Sequence, residues 1–171
     1  MAFPKVLKNM NLFNDGNSYQ GMVTSITLPK LTRKLENYRG GGMTGAAAID
    51  FGLADDALTL KWVISGIDET VLQQWGSSSD VPLRFAGSLQ RDDTGETSSV
   101  EVVMRGRHKE FAFSEYKTDG GLHTGITITT QCNYFKLSIN DQPLIEVDTL
   151  NMVEIVNGVD RLAAHRAAIG L

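Results

Sequence analysis

Residues 28–51 read LPKLTRKLENYRGGGMTGAAAIDF, a charged and amphipathic stretch that turns back on three consecutive glycines. Ordering about twenty residues of backbone costs on the order of 1–2 kcal/mol each, so a small monomeric domain gains little from such an excursion. The pattern predicts a long arm over about residues 29–50 that is completed by something outside the monomer. We therefore expect a building block first and a catalyst second.

The side chains of this arm favour contact with a neighbouring subunit, because charged residues alternate there with apolar ones. The alternative is that this amphipathic segment folds onto the body of its own subunit. The residues predicted to make the contact are Lys30, Leu31, Arg33, Lys34, Leu35, Glu36, Tyr38, Arg39, Gly40, Gly41 and Gly42.

The size and composition indicate one globular domain over residues 1–171, with 42% apolar and 21% charged residues. A net charge of −4 argues against a dedicated nucleic-acid groove, which needs clustered positive charge. The single cysteine, Cys132, excludes an internal disulfide. The N-terminus lacks the apolar stretch of a signal peptide, and no apolar run is long enough to span a membrane. We expect synthesis in a cytoplasm.

Most of the remaining sequence alternates with period two, which is typical of half-buried strands. Residues 125–139 form a long stretch rich in threonine, isoleucine and aromatic residues, and a turn at 140–143 predicts a following hairpin. The pattern predicts a mainly β fold, a sandwich or partly closed barrel. The clearest inward-facing positions are Leu58, Leu60, Trp62, Ile64, Val81, Leu83, Phe85, Val100, Val102 and Met104.

Two short helices are expected to interrupt the strands. Asp68 can cap a helix over residues 69–75, and Gly76 can end it in the left-handed conformation. The alanine-rich tail predicts a C-terminal helix over about residues 158–169.

No pattern of catalytic or cofactor-binding residues emerges. The glycine run 40–42 lacks the lysine and the spacing of a phosphate-binding loop, so we interpret it as a turn. His108, His123 and His165 fall on different elements without metal-ligand spacing. The run 105–109 places cations on both faces of a strand, which favours a solvated or subunit-facing edge over a nucleic-acid patch. We expect no enzyme activity, no cofactor and no metal.

Several segments together resemble the major tail tube protein family of contractile-tailed bacteriophages. The resemblance runs nearly end to end, and two segments depart from it. Residues 46–48 are three alanines, and residues 111–114 are unusually apolar. The segments that carry it are PKVLKNMNLFNDGNSYQG, LPKLTRKLENYRGGGMTG, VPLRFAGSLQ, DDTGE, VEVVMRGRHKE, YFKLSI and IVNGVDRLAAHRAAIGL.

The resemblance implies a structural virion protein of the phage tail, made and assembled in the host cytoplasm. Six copies would form a ring, and rings would stack into a tube inside a contractile sheath, with baseplate and tail terminator proteins at its ends. The arm would reach the adjacent ring, helped by the N-terminal segment and the C-terminal helix. Tape measure protein and DNA would pass through the lumen without specific binding. Glu101, Glu146 and Asp148 are candidates for the lumen wall, because they occupy alternate strand positions.

Three alternatives remain open from the sequence. The same architecture could serve a genome-free contractile bacteriocin or a secretion-type injection machine. A monomeric β-sandwich binding module would gather exposed aromatic residues, such as Trp62 or Trp75, in a groove. An enzyme ranks third, because no set of acid, base or metal-binding residues converges.

Overall fold

A computed structural model describes residues 1–118 and 124–171. His123 therefore lies outside the described residues, and so does most of the segment 117–121, for which the sequence predicts a glycine turn. The elements follow the chain as β1 (Val6–Asn14), β2 (Asn17–Ser18), β3 (Val23–Thr27), β4 (Arg33–Tyr38), β5 (Ala47–Leu53), β6 (Thr59–Ser65), α1 (Glu69–Gln73), β7 (Val81–Gln90), β8 (Thr97–Phe113), β9 (Gly125–Ile139), β10 (Gln142–Asp148), β11 (Val153–Val156), β12 (Val159–Asp160) and α2 (Ala163–Ala168).

Ten of these strands form one antiparallel sheet with a branch at β9. Its main path runs β12-β11-β10-β9-β8-β7-β1-β2. One side of β9 pairs with β8, whereas the other side pairs first with β6 and then with β10. β3 continues the branch beyond β6. Within the described residues the sheet does not close on itself. The prediction of a mainly β fold, a sandwich or partly closed barrel, is confirmed.

The core lies on the face of the sheet that the alternation predicted. Leu60, Trp62 and Ile64 of β6 are fully buried, and Lys61 between them is exposed. Inward-facing residues of β1, β7, β8 and β9 belong to the same apolar cluster, so the sheet bends around a single core. Burying each large apolar side chain contributes about 1.5–3 kcal/mol to stability.

A glycine is needed where β8 passes closest to β9. A Cβ at Gly106 would lie 2.2 Å from the carbonyl oxygen of Gln131, which is backbone and cannot move aside. The pairing register also shifts between Arg105 and Gly106. Such a bulge bends the strand and increases its twist, so this position helps β8 to curve around the core.

Both predicted helices are present, but their bounds differ from the prediction. α1 begins after Asp68, whose side chain accepts a hydrogen bond from the Thr70 amide, and Gly76 follows with a φ of +72°. The C-terminal helix spans only Ala163–Ala168, so the predicted range of 158–169 was too long. Val159–Asp160 instead pair with β11 as a strand, which the alanine-rich pattern did not reveal.

Candidate assembly surfaces

The predicted arm is a β-hairpin that stands apart from the main sheet. β4 and β5 form their own two-stranded sheet, joined by a loop over residues 39–46. Every residue of β4 is exposed, and so are the first five residues of β5. The hairpin therefore projects from the body instead of folding onto it as an amphipathic segment.

The tip of the arm uses its glycines in different ways. Only Gly42 has a left-handed backbone, with a φ of +82°. The Met43 amide donates to the carbonyl oxygen of Gly40 at 3.3 Å and closes the turn. A Cβ at Gly40 would meet the Tyr38 hydroxyl at 3.0 Å. Gly42 thus provides the turn conformation, and Gly40 leaves room for the Tyr38 side chain.

The base of the arm is fixed to the body by backbone and side-chain contacts. The Leu58 amide donates to the carbonyl oxygen of Lys30 at 2.9 Å. Arg33 donates from Nε to Asp50 on the facing strand at 2.9 Å, and its Nη1 contacts Glu154 of β11. The Arg33 guanidinium lowers the pKa of the Asp50 carboxyl, and Asp50 in turn raises the pKa of Arg33. Arg33 is therefore engaged within its own chain.

The rest of the arm offers unpartnered groups of two kinds. Among the ion pairs of the described residues, none involves Lys30, Lys34 or Arg39. Tyr38 and Phe51 are 58% and 62% exposed. Exposed aromatic rings are typical of an interface that a partner covers, and free cations can pair with acids on that partner.

The three lumen candidates share the face of the main sheet that points away from the core. Val102 and Val147, their chain neighbours, are buried on the opposite face. The register places Glu146 beside Lys136, Asp148 beside Tyr134, and Glu101 beside Ser138 of β9.

Each of these acids has a partner on the same surface. Arg84 Nη1 lies 3.4 Å from Glu101 Oε2. The Tyr134 hydroxyl donates to Glu146 at 3.0 Å, and burial raises the Tyr134 pKa to about 12. Asp148 accepts hydrogen bonds from the amides of Leu150 and Asn151 at 3.1 and 3.2 Å, so it stabilises the turn into β11. Glu101 is thus paired with a cation, whereas Glu146 and Asp148 accept from neutral donors and keep their charge.

A buried hydrogen-bond chain anchors α1, and sequence reasoning did not anticipate it. His108 Nε2 lies 2.8 Å from the amide oxygen of Gln74, which can only accept, so the proton is on Nε2. Nδ1 then accepts from the Thr130 hydroxyl at 2.9 Å. Burial lowers the His108 pKa to about 4 and keeps the ring neutral. From donor to acceptor, the chain runs Trp62, Thr130, His108, Gln74, Asn14, Tyr19 and Asp68.

The cysteine, the two tryptophans and the possible metal ligands of the described chain do not converge on one site. Burial raises the pKa of the Cys132 thiol to about 12. Trp62 is fully buried whereas Trp75 is 57% exposed, so the two tryptophans do not share a binding groove. Among the described residues, no three His, Cys, Asp or Glu side chains are placed to hold a metal ion. The described helices include none with the length and apolar character needed to cross a membrane.

Comparison with known proteins finds similarity to phage tail tube proteins. The family model described as "Phage tail tube protein FII" matches residues 4–170. The tail tube protein of Escherichia phage P2 is 55% identical over the full length of both chains. The major tail tube protein of Serratia phage KSP20 is 42% identical over 90% of this chain and 88% of its own.

The fold and the matches define a structural virion protein of a phage tail. The chain belongs to the phage tail tube protein FII family. The resemblance to the major tail tube proteins of contractile-tailed bacteriophages is thereby confirmed.

Two solved structures show more distant likeness. The crystal structure of the SPP1 Dit protein aligns at a TM-score of 0.43 and 14% identity, over 75% of this chain and 52% of its own. A chain of the anti-feeding prophage baseplate aligns at a TM-score of 0.46 and 10% identity, over 81% and 97%. Similarity at this level does not bear on function.

Proposed function

We propose that this chain assembles into hexameric rings that stack into the inner tube of a contractile phage tail, the conduit for DNA into the host. A sheath surrounds the tube, and baseplate and terminator proteins close its ends. Tape measure protein and DNA pass through the lumen without specific binding. Assembly takes place in the host cytoplasm. Both phage relatives support a phage tail over a genome-free injection machine.

The observation that carries this proposal is the exposed arm with its fixed base. The Arg33–Glu154 contact fixes the base of the hairpin. Beyond this base the side chains of β4 are exposed to solvent on both faces. The exposed residues of the arm become buried when a neighbouring copy covers them, and this burial offsets the cost of ordering the hairpin. The arm therefore links copies, and in a stacked tube it reaches the adjacent ring.

The polar face of the sheet supports the conduit part of the proposal. Arg84 and Arg105 face the same side as Glu101, and each has a local partner: Arg84 pairs with Glu101, and Arg105 stacks over the Tyr134 ring at 4.2 Å. Engaged cations bind phosphate weakly. Six copies at −4 each also give the ring a charge of −24, so DNA slides without electrostatic capture.

The proposal is tested by shortening the arm without disturbing its base. Replacing residues 36–49 by Asn-Gly joins Leu35 to Asp50, which lie opposite each other in the hairpin, through a two-residue turn and keeps the Arg33–Glu154 contact. Negative-stain microscopy of the concentrated wild-type protein should show long tubes. The shortened variant should remain folded by circular dichroism and give isolated rings or monomers. Long tubes from the shortened variant would contradict the role of the arm.

A further inference from the structure

A shallow apolar groove of about 340 Å³ lies between α1 and the end of β8. Its lining includes no residue of the arm and none of the three lumen candidates. Leu72, Trp75, Phe111 and Phe113 line it. Trp75 and Phe113 are 57% and 55% exposed. The rings of Trp75 and Phe111 are in contact at a centroid distance of 5.2 Å, with their planes tilted by 51°. Phe111 and Phe113 belong to the segment that is unusually apolar in the sequence.

The walls of this groove are held in place by the buried hydrogen-bond chain. Gln74, next to Trp75, contacts His108 at 2.8 Å and donates to Asn14 at 3.0 Å. These bonds tie the end of α1 to β8 and β1. A groove whose walls are already positioned loses little side-chain entropy when a partner binds.

The groove also borders an unpaired strand edge. β7 pairs with β8 only as far as Gly106. Over residues 107–113, the described chain supplies no strand on the side of β8 opposite β9. An open edge beside an apolar groove is a place where another chain can dock.

We propose that this groove receives the arm of a second copy of the chain, an inference that rests on the proposed function. The hairpin register places Glu36 opposite Ile49 and Tyr38 opposite Ala47, so Tyr38 and Ile49 lie on one face. Phe51 follows two residues along β5. These three side chains form an exposed apolar stripe of a kind that an aromatic groove can cover.

The charges of the two surfaces are complementary. Residues 30–42 carry four cations and one anion, a net +3, which leaves −7 on the rest of a chain whose total is −4. The stretch 62–83, which contains α1, has three acids and no lysine or arginine. Glu69 at the start of α1 is exposed. Asp68 accepts from Tyr19 and Asp80 pairs with Arg107, so Glu69 is the acid of this stretch left to meet a free cation of the arm such as Lys34.

The contact is tested by cross-linking in assembled tubes with a short bis-maleimide. The chain suits this reagent because Cys132 is buried and its thiol pKa is raised to about 12. The variant I49C/F113C should yield a ladder of covalent oligomers, because each copy offers one arm and one groove. Either single variant should give dimers at most. The matched control I49C/L150C uses a residue that is 75% exposed on the β10–β11 turn, and should give no ladder.

A second variant measures the contribution of the groove. Phe113→Asp should raise the protein concentration at which tubes form by about thirtyfold, which corresponds to about 2 kcal/mol for a buried aromatic contact. Leu150→Asp should leave that concentration unchanged. If I49C/F113C tubes give no ladder, or if F113D assembles at the same concentration as L150D, the docking site is wrong. Either result would leave the proposed tube function intact. Wild-type protein that forms no tubes would overturn both.

Discussion

Arg33 and Glu154 form an ion pair between residues 121 positions apart, joining the base of the arm to β11 of the main sheet. The Glu154 side chain is only 17% exposed, so the contact is sheltered on its acidic side. This pair sets the direction in which the hairpin leaves the body. The base of the arm is thus fixed, although the described residues provide no packing partner along β4 or the first five residues of β5.

Removing the acid should loosen the arm and leave the body stable. In Glu154→Gln, amide hydrogen exchange in β4 and β5 should become faster, because the arm loses its side-chain anchor. The free energy of unfolding should fall by no more than about 1 kcal/mol, as expected for a partly exposed pair. Lys34→Gln, which removes a cation without an ion pair in the described chain, is the control. Unchanged exchange in E154Q would show that the backbone bonds alone fix the base.

Gly106→Ala should destabilise the whole domain. The added methyl would lie 2.2 Å from the Gln131 carbonyl oxygen, so β8 or β9 must shift. Overpacking of this kind costs about 1–3 kcal/mol or more, measured by urea unfolding. Gly41→Ala is the matched control, since nothing lies within 4 Å of its Cβ position and its φ is not positive. Equal stability of the two variants would contradict the close approach of β8 and β9.

Stability should fall in mild acid because of His108. Its pKa is about 6.5 when unfolded and about 4 when folded, so its stabilising contribution is complete above pH 6.5 and is lost as the pH falls toward 4. That difference corresponds to about 3 kcal/mol. Tyr19 and Asp68 lie at the far end of the same hydrogen-bond chain.

The matching measurement is urea unfolding of wild type and His108→Gln at pH 7 and pH 4. Glutamine can bond the same neighbours but does not titrate, so H108Q should lose less stability between the two pH values. A pH dependence identical to that of the wild type would contradict the buried neutral ring.

The arm cations should govern assembly through charge. Lys34→Glu with Arg39→Glu reverses two cations that have no ion pair within the described chain, so tube formation should drop sharply while the unfolding free energy stays the same. Raising the salt concentration should weaken wild-type assembly for the same reason. Lys61→Glu, an exposed cation on β6, is the control. Tube yields that do not distinguish the arm variant from K61E would argue against charge-guided contact.

The sequence predicted the features that depend on local periodicity. The burial of Trp62 and Ile64, the cap at Asp68 and the existence of the arm all followed from alternation and turn chemistry. Chain order alone did not reveal that β9 pairs with β6 and β10 on the same side. The His108 chain joins residues from Asn14 to Thr130, so no local pattern could show it. The residues 159–160 read as helix because a two-residue strand has no periodicity of its own.

Electron cryo-microscopy of the assembled tail that contains this chain would show where the arm lies. We expect sixfold rings in which each arm leaves its own subunit at Arg33 and packs against a copy in the adjacent ring. An arm folded against its own subunit, or a tube built without contacts from residues 30–51, would contradict this expectation.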